Sequence, residues 1–331
     1  MAGFNEIVGH EQIIEHLKNA ITMDKVSHAY IFNGPEYSGK MMLAEAFAMA
    51  LQCEEHNPDG CMNCHSCKQA ADRNQPDIIY VSHEKPNTIS VDDIRQQLNN
   101  DIVIKPYSSK YKIYIVDEAE KMTVQAQNAL LKTLEEPPAY VVFLLLTTRA
   151  DSFLPTILSR CITLKLKPLY DEMIREYLMD RLHVQKQDAD VYTAFARGNL
   201  GKAIALSSSD SFADMRYSVM SLLRNARSMD TVVMLETVKR WKEDRLDIQE
   251  CLEFMQLWYR DVLMFKATQD MSGLIFREEY KYIRETSTKS SFRGIEAILE
   301  AIDKAKQRLE ANVNYELTME LLLLTIKENS L

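Results

Sequence analysis

Glycine and proline are scarce in this chain, nine of each in 331 residues, and no stretch is of low complexity. That excludes collagen-like and disordered architectures, whose compositions are rich in those residues or poor in apolar ones. Long apolar runs are also missing: nothing approaches the roughly 20 residues of a membrane-spanning helix. Met1 to His10, which carries Glu6, has no apolar core of the kind a signal peptide needs. A cytoplasmic location is therefore expected. Positive charge is in deficit, with a net charge of −9, so uniform basicity cannot bind nucleic acid and any DNA contact must be local. What is present is a 46% hydrophobic composition, enough over this length for two or three domains with their own cores.

The six cysteines are unevenly spread. Cys53, Cys61, Cys64 and Cys67 form C-x7-C-x2-C-x2-C, while Cys161 and Cys251 stand alone. Two-residue gaps let successive sulfurs converge, so the crowded set reads as four thiolates around one tetrahedral zinc. Disulfides or chance clustering are the alternatives, disfavoured in a reducing compartment. Four protein ligands leave no open position, which makes the expected zinc structural. His65 lies inside the knuckle and is expected at the surface.

Strands and helices alternate through about residue 167. Apolar runs predict strands at Ala29–Phe32, Ile78–Val81, Lys112–Val116, Val141–Leu146 and Ile162–Leu166. Helical spacing predicts helices at Lys40–Leu51, Val91–Asn99 and Val124–Leu134, the last stopped by Pro137 and Pro138. Such alternation implies a parallel sheet covered on both faces. After Pro168 only helical periodicity remains. Ile295, Ile298, Leu299, Ile302, Ala305 and Leu309 make one apolar stripe suited to bundle packing. Trp258 and Tyr259 lie in a similar pattern and read as core rather than as platforms for nucleic-acid bases.

Two segments carry chemistry. Gly34-Pro35-Glu36-Tyr37-Ser38-Gly39-Lys40-Met41 follows a strand and opens a helix, the setting of a P-loop, whose N–H groups and lysine hold phosphates. Met41 stands where Ser or Thr would ligate magnesium, and a thioether is a poor donor to a hard cation. Glu36 adds a negative charge to the loop. The strand Lys112–Val116 delivers Asp117 and Glu118 to its end, suited to holding magnesium's water shell and polarising an attacking water. Gly34, Gly39, Lys40, Asp117 and Glu118 are thus the candidate residues of a degenerate nucleotide site, with ATP binding weak or absent.

His28–Gly34, Ala126–Pro138 and Leu154–Cys161 resemble AAA+ clamp-loader subunits closely, and Trp258–Asp261 with Arg308–Asn314 resemble that family's C-terminal collar. The resemblance implies an α/β fold: an AAA+ P-loop module with a parallel sheet over 1–167, a zinc module inserted at 53–67, a helical lid over 168–208 and an all-α collar over 209–331. It also implies that Ser159-Arg160-Cys161 is a trans-acting arginine-finger motif, with Arg160 catalytic in a neighbour's site. Thr147 and Thr148 match the family's first sensor region.

Met41 and Gly201, the latter at the position where motor subunits carry a lid arginine, are departures similar to the delta-prime branch of bacterial DNA polymerase III clamp loaders. The implied partners are gamma or tau and delta subunits, with the sliding clamp and primer-template DNA met through the complex. No independent ATPase activity is expected. Two alternatives stay open: an active gamma-type motor that tolerates Met41, and a zinc-dependent nucleic-acid binder with a relic P-loop.

Overall fold

A computed structural model describes residues 3–83, 85–226 and 228–329. Its contacts divide the chain into two compact units, Met1–Met173 with Gly198–Lys202, and Ile174–Arg197 with Ala203–Leu331.

The first unit is built on β1 (Ala29–Asn33), β2 (Ile78–Val81), β3 (Lys112–Val116), β4 (Val141–Thr147) and β5 (Ile162–Lys165). They form one parallel sheet in the order β2-β3-β4-β1-β5. β4 is buried along its whole length, as a central strand with both faces covered must be. Side chains alternate between two cores. Tyr30, Phe32, Ile113, Ile115, Leu144 and Leu146 pack toward α2 (Lys40–Leu51). Ala29, Ile31, Tyr114, Val116, Phe143 and Leu145 pack toward α5 (Val124–Glu135).

Because the strands are parallel, β1, β3 and β4 release the chain at one edge, where Gly34, Asp117 and Thr148 follow them. A crevice at that carboxyl edge is where open α/β sheets hold ligands.

Three features differ from the sequence expectation. α1 (Glu11–Thr22) and α3 (His65–Ala71) are additional helices; α1 is amphipathic, burying Leu17 and Ala20. The helix expected over 91–99 is a short α4 (Val91–Ile94) that widens into a π-helical turn over Arg95–Asn99. α4 begins with a capping box in which the Ser90 hydroxyl accepts from Asp93 N at 3.2 Å and Ser90 N donates to the Asp93 carboxylate at 2.7 Å.

α6 (Pro155–Leu158) precedes β5. α7 (Asp171–Leu182) begins in the first unit and continues in the second. The second unit is helical. α8 (Lys186–Ala196) contributes Val191 and Phe195 to the same apolar cluster as Phe212, Trp241, Phe254, Trp258 and Tyr259. Trp258 and Tyr259 are both 1% exposed. Burial of such rings contributes about 1.5–3 kcal/mol each, and their faces are closed to bases. In the helix Phe292–Glu310, Ile295, Ile298, Ile302 and Ala305 are buried, with Leu299 and Leu309 packed at the margin. Among the described residues no helix is long and apolar enough to cross a membrane.

Candidate functional sites: a nucleotide-type cleft, an arginine segment and a cysteine cluster

Gly39 caps α2 with φ +90°, a left-handed conformation that side chains rarely adopt. This turn aims the start of α2 at a cleft of about 570 Å³, within the range of ligand pockets. Gly39, Lys40, Asp117 and Glu118 all line it, so the structure gathers these four candidate residues at one place, with Thr147, Thr148 and Met41.

Gly34, at the end of β1, is in contact through its carbonyl. Lys40 Nζ donates to Gly34 O and to Pro35 O, both at 2.7 Å. The ammonium that would meet outer phosphates is thus folded back on its own loop. Burial lowers the Lys40 pKa, against the opposing pull of Asp117, Glu120 and Glu36.

The acids are engaged as well. Glu118 sits at φ +48° and pairs with Lys121 at 2.7 Å and with His83 Nε2 at 3.4 Å. Glu120, absent from the sequence candidates, lines the same cleft and accepts from the Thr148 hydroxyl at 2.6 Å. Burial would raise its pKa, but the hydrogen bonds from Thr148 and Thr147 outweigh that and hold it low. Glu36, Asp117, Glu118 and Glu120 together set four carboxylates against one lysine.

Gly201 explains itself here. A Cβ on it would lie 2.3 Å from Tyr37 O and 3.0 Å from Tyr37 Cβ, so the helix α9 (Leu200–Ser207) approaches the loop too closely for any side chain. Asn199 reinforces the approach: its Nδ2 donates to Glu36 O at 2.6 Å while its Oδ1 accepts from Lys202 N at 3.0 Å. Tyr37 itself adopts φ +60°.

Arg160 lies elsewhere on the same unit, just past α6. Ser159 Oγ donates back to Thr156 O at 3.0 Å. Cys161 packs at the margin of the α5 core, and burial pushes its thiol up to about 12. Between them the Arg160 side chain, about one-third exposed, donates from Nη1 to Thr156 O at 2.9 Å and from Nη2 to Glu135 Oε1 at 2.9 Å. Arg160 is therefore not part of the cleft.

Gln127, which the sequence did not single out, secures this segment. It is 2% exposed, donates to Met122 O and Ser152 O at 3.2 Å, and accepts from Leu154 N at 2.8 Å.

The four clustered cysteines come together. Their sulfurs all lie within 4.8 Å of one another, and Cys61 and Cys67 are 3.9 Å apart. Tetrahedral thiolates on zinc would be about 3.8 Å apart, so the set fits one metal ion. Cys64 N donates to Cys61 Sγ at 3.2 Å and Cys67 N to Cys64 Sγ at 3.3 Å, contacts that favour thiolates. The Cys64 N–H holds the Cys61 pKa below its usual value, whereas burial drives Cys67 upward. His65 is exposed and outside the cluster.

Residues 9–170 match the family described as DNA polymerase III, delta subunit, and residues 211–328 its C-terminal region. The chain is 30% identical over 327 residues to the Bacillus subtilis DNA polymerase III subunit delta-prime, covering 96% of each. It belongs to the delta-prime family of DNA polymerase III clamp-loader subunits. Related subunits are similar over part of their length. The tau subunit of Bacillus subtilis is 27% identical, across 99% of this chain and 62% of that protein. The Escherichia coli tau subunit is 33% identical across 62% of this chain and 32% of its own. Delta-prime membership fits the parallel sheet and the helical second unit.

Proposed function

We propose that this chain is a non-hydrolysing member of the clamp-loader assembly that lends Arg160 to the ATP site of a neighbouring gamma or tau motor. The observation that supports the reading is a contrast within one unit: Lys40 is bonded to its own loop inside the cleft, while the Arg160 guanidinium, about one-third exposed, lies outside the cleft and is held by Thr156 O and Glu135. A guanidinium beside a transferring phosphoryl group stabilises the transition-state charge, with rate effects of about 10³ to 10⁵. Its planar fork grips two oxygens, which a lysine cannot do.

In this reading gamma or tau and delta are the partner subunits, and the sliding clamp and primer-template DNA are met through the complex. Residues 168–208 serve as the lid and 209–331 as the collar. The cysteine cluster holds one structural zinc through Cys53, Cys61, Cys64 and Cys67, which would tie α3 to the end of α2. The closed set of four sulfurs supports that role over catalysis. Met41, Gly201 and the Glu36 carboxylate within the loop argue against a gamma-type motor.

The test is a reconstituted complex of this chain with gamma or tau, delta and the clamp. Arg160→Ala should leave assembly intact and lower DNA-stimulated ATP hydrolysis and clamp loading. The loss should be partial, because motor-to-motor boundaries keep their own arginines. Normal assembly with wild-type rates in both assays would refute the trans-acting role.

A further inference from the structure

The residue that stands against Arg160 comes from a different element. Glu135 closes α5, and Pro137 and Pro138 stop the chain from continuing that helix. A carboxylate in the last turn opposes the helix dipole, which favours a cation there. The stability of α5 therefore does not account for Glu135. What faces it is the Arg160 guanidinium, at 2.9 Å from Nη2 to Oε1.

The rest of α5 is fixed. Leu130 and Leu134 are buried with Ile157 of α6, and Gln127 bonds the backbone at Ser152 and Leu154 just before α6. One rigid helix thus holds the arginine segment at both ends, through Gln127 before it and Glu135 beyond it.

We infer that Glu135 is a positioning residue, which orients the Arg160 fork so that it meets a neighbour's nucleotide already aimed; this rests on the trans-acting reading of Arg160. An arginine side chain is long and has many rotamers, so an untethered guanidinium must be ordered at the moment of use. Thr156 O at 2.9 Å and Ser159 Oγ at 3.4 Å hold one terminal nitrogen, both from the arginine's own segment, and Glu135 at 2.9 Å holds the other. Glu135 is thus the one tether from another element, and with the local pair it chooses the plane of the fork in advance. Glu135 is about half exposed, so the pair is screened by solvent, and replacing the glutamate should not disturb the fold.

The experiment uses the reconstituted clamp-loader complex with Glu135→Gln, Glu135→Lys, Arg160→Ala and the double variant Glu135→Gln/Arg160→Ala. Glu135→Gln should assemble normally, keep the KM for ATP and lower the Arg160-dependent part of the DNA-stimulated kcat by about two- to fivefold. Glu135→Lys, which repels the guanidinium, should approach the rate of Arg160→Ala. The double variant should be no slower than Arg160→Ala alone, because Glu135 acts only through the arginine.

Two outcomes overturn the role of Glu135 while leaving Arg160 in place. One is a Glu135→Gln rate equal to or above wild type when Arg160→Ala is slow, which would mean that the pair restrains the arginine or does nothing. The other is losses that multiply in the double variant. If Arg160→Ala is itself silent, the trans-acting reading falls and takes this inference with it.

Discussion

The nucleotide-type cleft and the arginine segment occupy the same unit, and they dispose of their polar groups in opposite ways. In the cleft the groups are turned on one another: Lys40 on Gly34 O and Pro35 O, Asn199 on Glu36 O, Glu118 on Lys121, and Thr148 on Glu120. At the arginine segment the guanidinium rests on three bonds near the surface: to the Thr156 carbonyl, to the Ser159 hydroxyl and to the half-exposed Glu135 carboxylate. The first arrangement is partly exposed too, at Lys40–Pro35 O, Asn199–Glu36 O and Glu118–Lys121, but it interlocks several partners, each of which must find a replacement on opening. The second exchanges readily, since exposed ion pairs are worth about 0–1 kcal/mol. In the proposed reading, a P-loop framework keeps its architecture while the group it offers to a neighbour lies outside its own cleft.

The largest expected effect separates both places from the metal. Cys67 is fully buried among the α2 core residues, and structural zinc in small modules contributes about 10–16 kcal/mol of apparent binding energy at neutral pH. Protein purified without added zinc should carry one zinc per chain, and Cys67→Ser should lose most of it and become protease-sensitive around 53–67. The rate difference between wild-type Arg160 and Arg160→Ala should nonetheless persist in complexes that still assemble. Zinc content near zero in wild-type protein, with all four thiols titratable, would remove the metal from the account.

A smaller effect tests the closure of the cleft. Gly201→Arg supplies the lid arginine that the clamp-loader resemblance leads one to expect, but its Cβ would collide with Tyr37 O at 2.3 Å. Backbone cannot yield as a flexible side-chain tip can, so the variant should lose about 1–3 kcal/mol of stability, as overpacked sites do. It should gain no ATP turnover. A variant as stable as wild type in a denaturant titration would show that the approach of Asn199–Gly201 to the loop is loose, and the contrast with Arg160 would weaken.

Much of this was legible in the sequence, for a physical reason. A parallel strand buried on both faces must be almost wholly apolar, so Lys112–Val116 and the run from Val141 are legible as strands, and even the edge strand Ile78–Val81, buried only at its two ends, is an apolar run. The glycines and lysine of the loop, the paired acids and the cysteine spacing are local patterns with local chemistry. The pairing of Glu135 with Arg160 and the approach of Gly201 to Tyr37 are not local. Periodicity tells which face of an element is buried, not which distant polar group will meet it. Gly201 could be read only as a missing arginine, whereas the structure supplies a steric reason for glycine. The π turn at Arg95–Asn99 has no sequence signal that distinguishes it from α-helix. Glu120, outside the paired acids, joins the cleft through the hydroxyl of Thr148, which lies at another strand's end.

The smallest expected effect is also the sharpest test of the comparison. Met41→Thr returns a hydroxyl magnesium ligand to the one P-loop position that departs from the pattern, and a sequence argument alone would expect activity to follow. The geometry predicts otherwise. Lys40 would still be spent on two carbonyls at 2.7 Å, and Glu118 would still be paired with Lys121. Glu36 would still set a carboxylate in the loop, and Gly201 would still lie against Tyr37 with no side chain to offer. Met41 is only partly buried at the edge of the α2 core, so the exchange should cost about 1 kcal/mol. The purified variant, without partners, should therefore show no measurable steady-state hydrolysis. Turnover of about one per second, an ordinary enzymatic rate, would mean that the cleft is one substitution from being a motor if Lys40→Ala then abolished it. In that event the self-engagement seen around Lys40 would be a resting state that nucleotide displaces, not a closed site, and the division of labour between cleft and arginine would have to be redrawn.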